Sequence, residues 1–206
     1  MNDQELEVKY YVKDLPSIEQ RLVDLEARLV HPRINEINLR FDTQDLKMSR
    51  RGQVLRLRHD SLSRLTYKGA SRSEEGVRAR EEIEFTVGDF QAARKLLTAL
   101  GFHVLMIYEK FRTTYDWKES HITLDEMPYG NFVEIEGPNP TVIQHVNQDL
   151  GLEWDARIFE SYTVLFDHLR EKLELTFRDL IFENFEGIVI TPETLNVRPA
   201  DGLVEA

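Results

Sequence analysis

Near the N-terminus, Glu5-Leu6-Glu7-Val8-Lys9 alternates charged and apolar residues. Successive side chains of a strand point to opposite faces, so Glu5, Glu7 and Lys9 share one face while Leu6, Val8 and Tyr10 share the other. Two carboxylates and an ammonium in one row make a poor hydrophobic core. They make a good start to a site for a divalent metal and a phosphate. The pattern recurs along the chain. Arg40 and Asp42 oppose Leu39 and Phe41, and Arg56 and Arg58 alternate with Leu55 and Leu57. Lys68 follows Leu65 and Tyr67. Arg78, Arg80, Glu82 and Glu84 share one parity, with Val77, Ala79, Ile83 and Phe85 on the other. Lys110 and Arg112 share a parity, as do Glu134 and Glu136 opposite Val133 and Ile135.

For any one strand this is an ordinary solvated face. Taken together, Arg and Lys cluster in the middle strands and Glu-x-Glu pairs sit near both ends. A sheet closed into a barrel, charged faces inward and helices over the apolar outside, accounts for that distribution. Guanidinium forks match phosphate oxygens, so Arg56, Arg58, Lys68, Arg80, Lys110 and Arg112 could neutralise a triphosphate. Glu5, Glu7, Asp125, Glu134 and Glu136 could hold one or two Mg²⁺ or Mn²⁺ ions, which prefer oxygen ligands.

The elements that would position these residues follow from periodicity and caps. Strands are expected at 5–12, 34–42, 54–59, 64–68, 77–87, 102–116, 121–126 and 131–136. Asp14-Leu15-Pro16 reads as a helix start, and Leu15, Ile18, Leu22, Leu25 and Leu29 carry helical spacing to about 29. Asp89 caps a helix over 90–100 that stops at Gly101. Further helices are expected over 141–150 and 157–173. Gly69–Gly76 reads as a polar loop, with a lid over one barrel mouth as the alternative for Ser71–Glu75. The tail from Glu174 mixes short apolar pieces with Gly and Pro and gives no architecture. Hairpin-rich order with few helices points to an antiparallel α+β fold.

Composition narrows the function classes. With 206 residues and 41% hydrophobic content, one domain, or one with an appendage, can bury a real core. The net charge of −11 argues against a nucleic-acid-coating surface, although a basic pocket can sit inside an acidic protein. The absence of cysteine excludes thiol catalysis, disulfides and zinc–thiolate sites. No run is long and apolar enough to span a membrane, and the acidic start does not read as a signal peptide, so a cytoplasmic location is expected. The histidines at 31, 59, 103, 121, 145 and 168 show no metal-ligand spacing and read as structural or surface residues. Trp117 and Trp154 read as packing residues.

Several ordered blocks resemble the CYTH superfamily of class IV adenylyl cyclases, thiamine triphosphatases and triphosphate tunnel metalloenzymes. Glu5–Lys9 resembles its ExExK. Arg40-Phe41-Asp42-Thr43 is similar to its YFDT block, with Arg in place of the commoner Tyr. Leu55–Arg58 resembles LRIR, Leu65–Gly69 resembles LTLKG, and Arg80–Glu84 resembles REExE. Glu109–Arg112 is similar to EKxR, and Asp125 with Gly130–Glu136 to the D…G.FVEIE block. Ser161-Tyr162 resembles a late SY element. The resemblance spans residues 5 to about 165, so 1–173 is taken as the tunnel domain and 174–206 as a C-terminal extension of unknown role.

The resemblance implies an eight-stranded antiparallel β-barrel, or tunnel, with helices packed on its outside. It also implies Mg²⁺ or Mn²⁺ dependence and a small-molecule triphosphate as partner, with neither nucleic acid nor membrane. A homodimer stays open. Glu5, Glu7, Asp125, Glu134 and Glu136 are expected at the metal, with Glu82 or Glu84 beside them. Lys9, Arg56, Arg58, Lys68, Arg80, Lys110 and Arg112 are expected on the phosphates, and Arg40 has the parity to join them. Lys9, Glu82 and Glu84 are the catalytic candidates, one of the two glutamates orienting water. The leading expectation is a metal-dependent hydrolase of tripolyphosphate, a nucleoside triphosphate or thiamine triphosphate. The alternatives are a class IV adenylyl cyclase making cyclic AMP and pyrophosphate, and a non-catalytic polyphosphate or nucleotide binder.

Overall fold

The computed structural model describes residues 4–202. Nine antiparallel strands form one sheet: β1 (Gln4–Val12), β2 (Arg28–Thr43), β3 (Val54–His59), β4 (Ser63–Lys68), β5 (Arg72–Glu74), β6 (Val77–Val87), β7 (Phe102–Trp117), β8 (Ser120–Met127) and β9 (Gly130–Glu136). Their order is β1-β9-β8-β7-β2-β3-β4-β6, and pairing of β1 with β6 closes eight of them into a barrel. The short β5 extends the track of β4 along β6. The fold is α+β, an eight-stranded antiparallel barrel with helices packed outside it, as expected.

The alternation of each strand decides which face is dry. On β1 the outward Leu6, Val8, Tyr10 and Val12 are buried beneath α1 (Leu15–Asp24) and α4 (Pro140–Asp149), whose Ile18, Leu22, Ile143 and Val146 share the same core with Leu150, the residue that caps α4. On β2 and β3 the outward Leu39, Phe41 and Leu57 meet Leu97 of α3 (Phe90–Ala99). Burying such side chains is worth about 1.5–3 kcal/mol each, which fixes strand register against a one-residue slip.

The inward rows change character along their length. Glu5, Glu7 and Lys9 give way to Tyr11 on β1, Glu136 and Glu134 to Phe132 on β9, and Arg112 and Lys110 to Tyr108 and Met106 on β7. Tyr11, Phe132, Tyr108 and Met106 belong to one buried cluster with Tyr162, Leu165, Phe166 and Leu169 of α5 (Tyr162–Leu173). That end of the barrel is therefore apolar and stopped by α5. Gly130, at φ 145°, makes room for it, since a Cβ there would lie 2.6 Å from Tyr11 Cε2.

Several boundaries differ from expectation. The first helix ends at Asp24 because Glu26 takes a left-handed conformation, φ 57°. Residues 28–33 then join β2, and the register shifts flanking His31 absorb Pro32, which has no N–H to give the ladder. Residues 157–161 are extended rather than helical. Ile158 N–H donates to the Lys9 carbonyl, and α5 begins only after Ser161 caps Val164 N–H. The stretch read as a loop contains β5, and a short helix, α2 (Lys47–Arg50), follows β2. Asp42 belongs to that helix: its carboxylate accepts from Met48 N, Ser49 N and Ser49 Oγ.

Residues 174–202 run back over the barrel through another short helix, α6 (Pro192–Leu195). Leu180 exchanges backbone hydrogen bonds with β7 at Ile107 and Glu109, and Ala200 N–H donates to Tyr11 O on β1. Leu180, Phe185, Leu195 and Ala200 are buried. No helix among the described residues is long and apolar enough to cross a membrane.

Candidate functional site

The inward rows surround a cavity of about 700 Å³. Lys9, Arg33, Arg40, Arg56, Arg58, Arg64, Lys68, Arg78, Arg80, Lys110 and Arg112 line it, against Glu5, Glu7, Glu36, Asp60, Glu82, Glu84, Glu134 and Glu136. A basic lumen inside a chain of net charge −11 is a local, folded property.

Carboxylates concentrate on β1, β6 and β9. Glu7 lies directly across from Glu136, and Lys9 from Glu134. On the other edge of β1, Glu5 faces Arg80 and Glu7 faces Arg78. The Lys68 ammonium bridges Glu5 at 2.8 Å and Glu82 at 3.0 Å. Arg80 Nε donates to Glu5 at 2.6 Å. Burial alone would raise the Glu5 carboxyl, but Lys68 and Arg80 outweigh it and hold it well below the usual range. Glu136 lacks such partners. Its side chain is exposed to the lumen, yet enclosure by the barrel, with Glu5, Glu82 and Glu7 nearby, pushes it up to about 7. Glu82 is also raised, by burial and by Glu5, against the pull of Lys68.

Cations concentrate on β2, β3 and β7. Arg40 lies across from Arg56, and Asn38 from Arg58. Arg56 donates to Tyr108 Oη, Thr66 Oγ1 and Glu84, all at 3.3–3.4 Å. Arg58 reaches Glu84 at 3.1 Å and Glu36 at 3.4 Å. Arg112 grips Asp125 through Nε at 2.6 Å and Nη2 at 2.5 Å, and also meets Glu134 at 2.6 Å. Lys110 donates to Asp125 at 3.0 Å. Lys9 sits 3.3 Å from Glu134, with its pKa lowered chiefly by burial. Glu134 is held well below its usual range, Lys9 and Arg112 overcoming the effect of burial.

The expected site residues meet in this one lumen, with two exceptions of placement. Asp125 lies behind the lining, fully buried, and both its oxygens accept from Arg112. Arg40 borders the cavity, but Thr163 at 2.9 Å and Ser49 at 3.4 Å hold its guanidinium. The sequence reading passed over Glu36 and Tyr108. Glu36, 1% exposed, accepts from Asn38 and Arg58 and lies 3.6 Å from Lys110. It shares the parity of Asn38 and Arg40, the signal that would have found it. His31 and His121 also reach the lining. Trp117 and Trp154 pack against the core.

Arg56, Arg58 and Arg78 each carry a buried Nε–H that makes no hydrogen bond. A buried donor without an acceptor costs about 1–3 kcal/mol.

The model of the CYTH domain matches residues 3–145. A candidate adenylate cyclase of Methanocaldococcus jannaschii is 26% identical over 179 residues, covering 85% of this chain and 99% of its own length. Among solved structures, a candidate adenylate cyclase from Vibrio parahaemolyticus is similar at TM-score 0.71 and 21% identity, covering 81% of this chain and 99% of that one. A candidate adenylyl cyclase from Hippeastrum, described as having a dominant triphosphatase activity, is similar at TM-score 0.58 and 21% identity over 79% of this chain and 95% of that one. The match over most of the chain and the barrel it folds into agree: the protein belongs to the CYTH-domain family.

Proposed function

We propose that the protein is a divalent-metal-dependent hydrolase of triphosphate-bearing substrates such as tripolyphosphate, a nucleoside triphosphate or thiamine triphosphate. The observation that carries this reading is the concentration of arginine and lysine side chains around one charged cavity enclosed by the barrel. Arg56, Arg58, Lys68, Arg80, Lys110, Arg112 and Lys9 would grip the phosphates, exchanging present carboxylate partners for phosphate oxygens. Arg40 would join them on release from Thr163.

A hard divalent cation fits the carboxylate side. The donors there are all oxygens, and Glu136 and Glu82, raised chiefly by burial and further by neighbouring carboxylates, would gain a counter-charge from a bound cation. Among the described residues no three acidic or histidine side chains converge as a ready cage. Glu5, Glu7, Glu134 and Glu136 would therefore share the ion with substrate oxygens and water, the usual habit of Mg²⁺. A bound Mg²⁺ or Mn²⁺ would neutralise phosphate charge and render the terminal phosphorus more electrophilic.

Water would attack that phosphorus and break its bond to the bridging oxygen, releasing phosphate and the shortened chain. Glu82 is the better carboxylate to orient the water and take its proton. Its pKa is raised, whereas Glu84 is lowered, Arg58 and Thr66 overcoming the effect of burial. The basic side chains would stabilise charge on the leaving oxygen.

The name of the Methanocaldococcus jannaschii relative favours a second reading, adenylyl cyclase, in which the ribose 3′-hydroxyl attacks the α-phosphorus of ATP. Incubating the protein with tripolyphosphate, ATP and thiamine triphosphate in Mg²⁺ or Mn²⁺ separates the two. Phosphate release supports the hydrolase, and cyclic AMP with pyrophosphate supports the cyclase. Binding without either product refutes both and leaves a binder.

A further inference from the structure

The matched family region stops at residue 145, yet the first turn of α5 borders the lumen through Ser161, Tyr162 and Thr163. Tyr162 occupies a singular place there. Its hydroxyl donates to Asp125 Oδ2 at 2.8 Å, the oxygen that also receives Lys110 at 3.0 Å and Arg112 at 2.5 Å. Its ring lies under the Lys9 ammonium, 4.1 Å from Nζ to the centroid, and 5.3 Å from Lys110 Nζ. Two cations from two walls thus meet this ring, and a third, Arg112, shares the carboxylate its hydroxyl binds.

The ring is held from several directions. Phe132 meets it edge-on, with centroids 5.1 Å apart at 77°. Tyr129 Oη donates to the Tyr162 carbonyl at 2.8 Å. The hydroxyl is tied to Asp125 at the far end. Tyr162 is 7% exposed and has little freedom to swing away.

The Lys9 ammonium has three protons to place. Glu160 O accepts at 3.1 Å and Glu134 Oε1 lies at 3.3 Å. The ring face takes a further direction. A carboxylate in that place would neutralise the cation, whereas a ring attracts it without adding an anion. The ammonium stays where it is, and an incoming phosphate oxygen would take the direction that Glu134 now holds.

We infer that Tyr162 is a positioning residue that fixes Lys9 through its ring and the Asp125–Lys110–Arg112 group through its hydroxyl, making the start of α5 part of the phosphate site. This rests on the triphosphate reading of the lumen for its ligand. It goes beyond that reading in assigning the work to a residue that the reading leaves without a role.

The test is a double-mutant cycle on tripolyphosphate binding, measured by calorimetry so that no turnover is needed. Tyr162→Leu weakens binding about tenfold in the wild-type background and, in a Lys9→Met background, only by the smaller loss that Tyr162→Phe shows, because the ring acts through that ammonium and the hydroxyl does not. Tyr162→Phe keeps the ring and falls between wild type and Tyr162→Leu. Equal losses in both backgrounds, or no loss from Tyr162→Leu, overturn the inference. A ligand-free measurement separates it from the triphosphate reading. In NMR spectra of the unliganded protein the Lys9 ε-methylene protons shift upfield over the ring, persist there in Tyr162→Phe and return to ordinary positions in Tyr162→Leu. With that shift present, failure of the wild type to bind tripolyphosphate overturns the ligand and leaves the positioning intact. With the shift missing, the positioning itself is refuted.

Discussion

Asp125→Asn should destabilise the protein while making it more responsive to anions. Asp125 is fully buried and accepts from Lys110, from Arg112 twice and from Tyr162. Asparagine keeps the shape but removes the charge, leaving two buried cations short of a counter-ion. Breaking a buried pair in this way costs about 3–5 kcal/mol. Here the lower end, about 3 kcal/mol, is expected, because Arg112 keeps Glu134 at 2.6 Å and Lys110 keeps Glu36 at 3.6 Å. For a chain of this size that lowers the melting midpoint by roughly 6–12 °C. Calorimetry or urea unfolding measures it. Tripolyphosphate or sulfate should narrow the gap to wild type, since the freed cations bind anions more tightly and ligand at 100 times its Kd adds about 2.7 kcal/mol. A gap under about 1 kcal/mol, or one that anions leave unchanged, would refute the view of Asp125 as the fixed counter-ion of the basic wall.

Glu134→Gln should cut phosphate release from tripolyphosphate at least a hundredfold, about 2.7 kcal/mol of barrier, and steady-state kinetics will show whether it does. EDTA should abolish release and added Mn²⁺ restore it; activity that persists after dialysis against chelator contradicts the proposed metal requirement. Glu136 holds its proton up to about pH 7 in the folded chain, above the ordinary carboxylate value of 4.5. The stability this lends is fully present below pH 4.5 and is lost as pH rises through 7. Lumen water keeps the effect small, and Glu136→Gln should flatten the wild-type decline in melting midpoint across that window. Phe185→Ala, 6% exposed between Tyr129, Phe166 and Phe177, should cost about 3–5 kcal/mol in urea unfolding despite lying in the tail.

The barrel was legible because its lumen breaks the usual rule. Charge on the inward face of strand after strand is a stronger pattern than polar residues facing bulk water, and Glu7 facing Glu136 follows from parity plus closure. What the sequence hid was non-local. Leu25 and Leu29 continue the helical spacing of α1, and only the left-handed turn at Glu26 and the pairing of Arg28 with Asp116 stop it. The start of α5 was misplaced because Ile158 spends its N–H on β1, a contact across 149 residues of chain that no local signal announces. Glu36 looked like one more polar strand residue, and its role exists only once Arg58 and Lys110 stand beside it. The tail carried no periodicity because it packs by single anchors such as Leu180 and Phe185 rather than by a face.

The hydrogen bonds from Ile158 and Ala200 to β1 also set an order of events. Past Glu7, where β6 leaves it, β1 has one edge filled by Ile158 and Ala200, which follow it at long separations in the sequence. During synthesis β1 must therefore wait, with that edge open, until Ile158 and Ala200 have been made. Closures over such separations are slow, and an exposed strand edge is a template for pairing with other chains. A nascent or C-terminally truncated chain should thus be a better substrate for chaperones, and a readier aggregator, than the loss of a surface tail would imply. The chain's net charge of −11 then has a second use, keeping such half-closed barrels apart while they finish.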